Sequence, residues 1–312
     1  MYYPLLRARQ FELITIRELV AENAIQDVVT PIFEPVKETH NNLEIAFNIF
    51  QQGTQSAYLI LNPSIGEMAG DGTHYLDYLL SKQSGTYLPA FRYRGNGDYI
   101  QQTIENNNLE NCMIICQNDV NANSADFNLV AELTQVTAFN VEDPGRNRRL
   151  SRYINGLDKT FIRLDDPFEK QIRNSDFLTI PEHLFSEEHL YFDTEDNFNG
   201  FSDYTVLPSE YIEGGSTPRA VVIHLTYLHD QDEIWIRHFT SDTNDSIANV
   251  QGKFAEAAAK AVFFCRANGL SNSALEELFD HFDTQHYPGL GTVKKIAMKN
   301  HILVVAGYLR NR

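Results

Sequence analysis

Apolar positions along this chain switch repeatedly between two spacings. Leu13, Ile14, Ile16, Leu19 and Val20 recur at helical intervals and predict a helix over 11–22. A strand broken by two prolines follows over 28–36. Leu43, Ala46, Phe47 and Phe50 then mark a helix that Gly53 ends. The run 57–61 is a strand that passes straight into Asn62-Pro63. Strands at 87–91, 112–116, 136–141 and 160–164 alternate with helices at 98–105, 124–133 and 148–154. Over 176–199 the rhythm loosens into an acidic, aromatic connection. Strands are expected again at 200–207 and 219–227, and a turn at 230–233 leads into 234–239. Helices over 250–267, from Ser273 (with Glu276 at capping-box spacing), and over 291–309 complete the chain.

Strand, polar turn, helix, strand is the signature of parallel strands joined by right-handed crossovers. About eight core strands can be counted, the number a closed barrel requires. The expected fold is therefore a single (β/α)8 TIM-type barrel over 1–312, with an N-terminal helix and a decorated C-terminal third made of a β-hairpin plus helices. A doubly wound open sheet is the alternative. It is disfavoured because Phe33 is followed by Glu-Pro-Val-Lys and not by a Gly-rich phosphate loop. No flexible linker, low-complexity tract or internal repeat divides the chain.

Composition adds limits. The 312 residues exceed the roughly 250 of a plain barrel and leave room for decoration. A net charge of −17 opposes binding to phosphodiester backbones, so nucleic acid is not an expected partner of this chain alone. Three cysteines, Cys112, Cys116 and Cys265, follow no disulfide or zinc spacing and read as buried core thiols. No basic segment followed by an apolar one opens the chain, and no apolar run is long enough to span a bilayer. A cytoplasmic location without membrane attachment is the expectation.

In a barrel, functional groups stand at the C-terminal ends of the strands. Here polar residues follow the apolar runs at Glu34 and Lys37, Asn62, Arg92 and Arg94, Asn118 and Asp119, Glu142 and Asp143, Asp165 and Asp166, and Asp203. Turns and helix caps also call for polar residues there, and capping accounts for Asp119, Asp143 and Asp166 equally well. Glu34 lies between Phe33 and Pro35, where no cap is needed and a buried charge is costly. It is the leading candidate for an acid–base group, with Asp165 and Asp203 as supporting carboxylates. Arg92 and Arg94 share one side of a strand extension and, with Lys37, suit a small anionic ligand; the alternative for the two arginines is pairing with the carboxylates of the same rim. Gly214, Gly215 and Ser216, followed by Arg219, offer backbone N–H groups and a cation for a second anion-binding loop. His224 reads as a hydrogen-bonded core histidine. His224, His238 and Asp242 are the only grouping resembling metal ligands, and no metal or cofactor is assigned. No Gly-x-Ser-x-Gly elbow and no Walker-type loop occurs.

Several stretches also resemble a known group. They are Tyr3-Pro-Leu-Leu-Arg-Ala-Arg-Gln-Phe-Glu-Leu13, Pro31-Ile-Phe-Glu-Pro-Val-Lys37, Asp166-Pro-Phe-Glu-Lys-Gln171, Gly200-Phe-Ser-Asp-Tyr204, Ile223-His-Leu-Thr-Tyr227 and Ile234-Trp-Ile-Arg-His-Phe239. Together they resemble the uncharacterised "beta family" proteins of bacteria and phages, over nearly the whole chain. The resemblance implies a protein partner from a neighbouring gene and a role in a multi-protein, phage-defence-type system. It carries no catalytic residue. Two functions thus stand side by side: a binding component of such a system, and an enzyme acting on a small polar or anionic substrate by carboxylate chemistry.

Overall fold

A computed structural model describes residues 1–82, 85–194, 197–214 and 217–312. Strands β1 (Leu5–Leu6), β2 (Ile32–Phe33), β3 (Ala57–Ile60), β4 (Tyr87–Arg92), β5 (Cys112–Cys116), β6 (Val136–Glu142) and β7 (Thr160–Leu164) pair in parallel in chain order. Strand β8 (Glu182–Ser186) lies elsewhere, and β9 (Gly200–Ser202) adds to β7 as the eighth parallel strand. Tyr2 closes the ring, bridging in parallel to Val29 on one side and Phe201 on the other. Across the same seam the N–H groups of Tyr3 and Leu5 donate to the carbonyls of Phe201 and Asp203 at 2.9 and 2.8 Å. The α/β barrel predicted from the rhythm is present.

One helix follows each of the first six strands: α1 (Gln10–Ala21), α2 (Asn41–Gln52), α3 (His74–Leu80), α4 (Gly97–Asn106), α5 (Ala125–Ala131) and α6 (Arg148–Asn155). A short helix, α7 (Glu188–Tyr191), precedes β9. The decoration is a second, antiparallel sheet in the order β10 (Val222–Leu228), β11 (Ile234–Thr240), β8. Helices α8 (Val250–Ala267), α9 (Ser273–Asp283) and α10 (Leu290–Asn311) cover it, and α10 also lies against α1. Among the described residues no helix is long and apolar enough to cross a membrane.

Helix α3 and strand β8 form where the pattern marked no helix or strand, and three further assignments differ from it. The first barrel strand is Leu5–Leu6, ahead of the N-terminal helix, so that helix is the first crossover; two residues are too few to show alternation. The strand expected at 219–227 forms as β10 but pairs antiparallel with β11, outside the barrel. The cap of α9 is Asn272, whose side chain accepts the N–H groups of Ala274 and Leu275 at 3.0 Å, while Ser273 is the first helical residue.

Strand alternation sorts the apolar residues into separate cores. Leu5, Ile32, Tyr58, Ile60, Ala90, Met113, Ile115, Ala138, Ile162, Leu164 and Tyr204 fill the barrel, which is packed and not a pore. Residues of opposite parity, such as Phe33, Leu59, Phe91, Ile114, Phe139 and Phe161, pack outward under the helices. Val221, Ile223 and Leu225 of the second sheet meet Ala257, Ala261, Leu278 and Ile296 of its helices. The cysteines are free and buried, and burial pushes Cys112 and Cys116 up to about 12.

Candidate functional site

The same alternation aims a set of polar side chains into the barrel mouth. Arg7, Glu34, Asn62 and Arg92 each come two residues after an interior position, and Glu142 comes four after Ala138. All stand at the C-terminal end of the barrel.

Glu34 is 1 % exposed and forms a two-pronged ion pair with Arg92. Arg92 Nε donates to Oε1 at 2.7 Å and a terminal N–H donates to Oε2 at 2.5 Å. The backbone N–H and the hydroxyl of Ser64 donate to Oε1 as well, at 3.1 and 3.0 Å. Burial alone would push the Glu34 carboxyl up. The Arg92 charge and its hydrogen bonds, with help from Arg7 and Ser64, outweigh that and hold it below its ordinary value. Arg92 is raised in turn, because Glu34 outweighs its own burial. Glu34 is therefore a spent carboxylate. It holds a guanidinium and has no proton to trade near neutrality. Asn62 fixes the same strand end, donating to the Arg92 carbonyl at 2.9 Å and accepting its N–H at 2.8 Å.

Arg7 completes the mouth. Its guanidinium stacks over the Tyr204 ring, 4.7 Å from the centroid, and donates to the Ser209 carbonyl. One of its terminal nitrogens is buried without a hydrogen-bond partner among the described residues. The Tyr204 phenol is pushed up to about 12, first by burial; Glu142 and Glu34 reinforce the shift, and Arg92 and Arg7 oppose it. That mutual influence places Arg7, Glu34, Arg92, Glu142 and Tyr204 in one electrostatic cluster.

Arg92 and Arg94 both line a cleft of about 370 Å³ with Asn62, Ser64, Asn96 and Tyr99, and no carboxylate lines it. Arg94 is exposed and has no ion pair among the described residues; its N–H is held by Asn96 at 2.8 Å. The loop bearing Ser64 is pinned by Gly66, at φ +88, where a Cβ would stand 2.5 Å from the Val36 Cα.

The other sequence candidates lie apart from this cleft. Lys37 pairs with Glu67 at 2.6 Å, which holds it above its ordinary value, and faces Glu213 at 3.8 Å. With Arg9, Tyr211, Gly214 and Lys294 it lines a separate cleft of about 520 Å³. Gly215 lies outside the described residues. Arg219 is not beside Gly214 in that cleft but in a third one, with Arg173. Asp165 and Asp203 have the outward parity of Phe161 and Phe201, so they do not join Glu34 in the mouth. Asp165 pairs with Arg163 at 2.6 Å. Burial raises its carboxyl, and Asp143 and Asp203 add to that against the pull of Arg163. Asp203 accepts the Tyr2 hydroxyl at 2.6 Å and the Thr205 N–H at 2.7 Å, and lies 3.3 Å from the fully buried His301. It is part of a buried polar seam.

The histidines do not gather around a point. His224 and His238 share a hydrogen bond between their Nδ1 atoms at 2.7 Å, and the far nitrogen of His238 meets His183 at 3.2 Å. Asp242 turns instead to Lys260 at 2.7 Å. This is a chain of imidazoles, and among the described residues no three His, Cys, Asp or Glu side chains are grouped to hold a metal.

Comparison with known proteins brings no family: no family model matches the chain, and no match appears among curated proteins or solved structures.

Proposed function

We propose that this chain binds a small anionic or polar ligand at the barrel mouth, as the binding component of a larger system. The observation that carries this reading is Arg92: a guanidinium oriented by a buried carboxylate, at the lip of a cleft that also holds the unpaired Arg94 and no acid. The support is strongest for binding because Glu34, Asp165 and Asp203 are each tied to other groups. Acid–base catalysis keeps one candidate, Glu142. It faces the mouth, its carboxylate has no hydrogen bond to a described residue, and its charge acts on Arg92 and Tyr204.

Calorimetric titration of citrate and inorganic phosphate into the full chain and into Arg94→Gln tests the binding reading. The exposed Arg94 is not needed for folding. Its loss is expected to weaken anion binding about tenfold, the usual size for one charge-assisted contact. Absence of binding by both anions, or affinity indifferent to Arg94→Gln, refutes the reading.

A further inference from the structure

We propose a second ligand site, remote in sequence from the mouth, that takes a phosphate monoester carrying an apolar body. Three connections build a cleft of about 710 Å³: residues 172–175 between β7 and β8, 217–220 ahead of β10, and 244–247 between β11 and α8. It shares no lining residue with the cleft at Arg92.

The walls are tied together. Asn174 Nδ2 donates to the Ala220 carbonyl at 2.9 Å, joining the first connection to the second. Ser241 N–H donates to the Val221 carbonyl at 2.9 Å, Val221 N–H donates to the Ser241 hydroxyl at 3.1 Å, and that hydroxyl donates to the Thr243 carbonyl at 3.1 Å. These bonds anchor the third connection against the second. The cleft is a fixed feature of the small sheet's edge.

Its chemistry is one-sided. Arg173 and Arg219 both line it, neither has an ion pair among the described residues, and no Asp or Glu lines it. Asp176 accepts the backbone N–H of Arg173 at 3.1 Å and forms no ion pair with its guanidinium. In a chain with 42 acidic and 25 basic residues, a cleft with two arginines and no acid is a local reversal of sign. Two guanidinium forks match the oxygens of a phosphate, and Ser175, Thr217 and Asn244 add neutral hydrogen-bonding groups. Ile172 and Ile247 flank the cations with side chains 96 % and 61 % exposed. An organic phosphate with an apolar or aromatic body covers them, and inorganic phosphate does not.

Isothermal titration of phenyl phosphate and of inorganic phosphate into the full chain tests the assignment, with Arg173→Gln, Arg219→Gln and the double variant. Both arginines are exposed, so the variants fold; circular dichroism checks this. Phenyl phosphate is expected to bind about tenfold more tightly than inorganic phosphate. Each single substitution should weaken the tighter phase about tenfold and the double variant should remove it, leaving only the binding that Arg94→Gln weakens. Arg149→Gln, which removes an exposed charge on α6, should leave the affinity unchanged. Undetectable phenyl phosphate binding, or equal affinity in the wild type and the double variant, overturns the site. Equal affinity for the two phosphates overturns the apolar part of the ligand.

Discussion

Replacing Glu34 by Gln keeps the shape of the barrel mouth and removes the charge that Arg92 was built against. The carboxylate is 1 % exposed and the Arg92 side chain 12 %. The substitution therefore strands a guanidinium where water reaches it poorly. Breaking a buried pair from one side typically costs about 3–5 kcal/mol. Ser64 keeps an acceptor in the Gln carbonyl oxygen, so the lower end, about 3 kcal/mol, is expected. The double variant Glu34→Leu/Arg92→Met removes both charges and leaves only the Ser64 donors unmet, a cost of about 1–3 kcal/mol. It should thus be no less stable than Glu34→Gln, although it changes more atoms. Urea unfolding of the wild type, Glu34→Leu, Arg92→Met and the double variant measures the cycle, with Glu34→Gln measured beside it. The pH dependence has a definite sign. The folded-state value of Glu34 lies below the ordinary carboxyl value, so the contribution is full above that ordinary value and is lost as pH falls through the folded one. A loss under about 1 kcal/mol for Glu34→Gln, or strict additivity in the cycle, would refute the claim that this pair is desolvated and coupled.

Two further outcomes concern the chain of imidazoles and the loop at Gly66. Burial lowers His224 to about 3 and, with the neighbouring imidazoles, His238 to about 2. The unfolded chain therefore takes up protons first, so stability is present above about pH 6.5 and falls as pH drops from there toward 3. His224 alone should lose about 2 kcal/mol by about pH 4.5. Urea unfolding at the two pH values should show a smaller drop in His224→Leu/His238→Leu than in the wild type, and an equal drop argues against neutral imidazoles. Gly66→Ala should destabilise by more than about 1 kcal/mol, since it meets both the positive φ and the Val36 backbone; a thermal melt unchanged from wild type would show that the loop can shift.

Much of the barrel was legible because its strands alternate with amphipathic helices at short intervals. β3, β5 and β7 and helices α2, α4 and α8 lie close to where periodicity puts them. What periodicity could not supply was pairing. The hairpin of β10 with β11 was expected, but the Val- and Ile-rich run of β10 also reads as a barrel strand, and only the pairing of β1 with β2 shows that β1 and not β10 is in the barrel. β1 is too short to carry a pattern, and with it went Arg7, which faces the mouth only once Leu5 is known to face the core. Glu34, between Phe33 and Pro35, stood out rightly as a charge without a capping role. That the rim arginines could pair with its carboxylates was legible, but not which would: Arg92 lies 58 residues from Glu34 and only strand order brings the two together. Asp165 and Asp203 follow strands as Glu34 does, but their parity is outward, and one residue of register decides that.

The seam at Tyr2 also bears on how the molecule is made. β1 is made before the other barrel strands, yet its second neighbour, Gly200–Ser202, emerges some two hundred residues later. Until then β1 can pair only with β2, and one edge of the sheet stays open. Asp203 then engages the Tyr2 hydroxyl, and His301 reaches the same carboxylate only when α10 is synthesised. The nascent chain must therefore carry an incomplete, edge-bearing sheet until β9 is made, and that interval is when strand-to-strand association with other chains is most favoured.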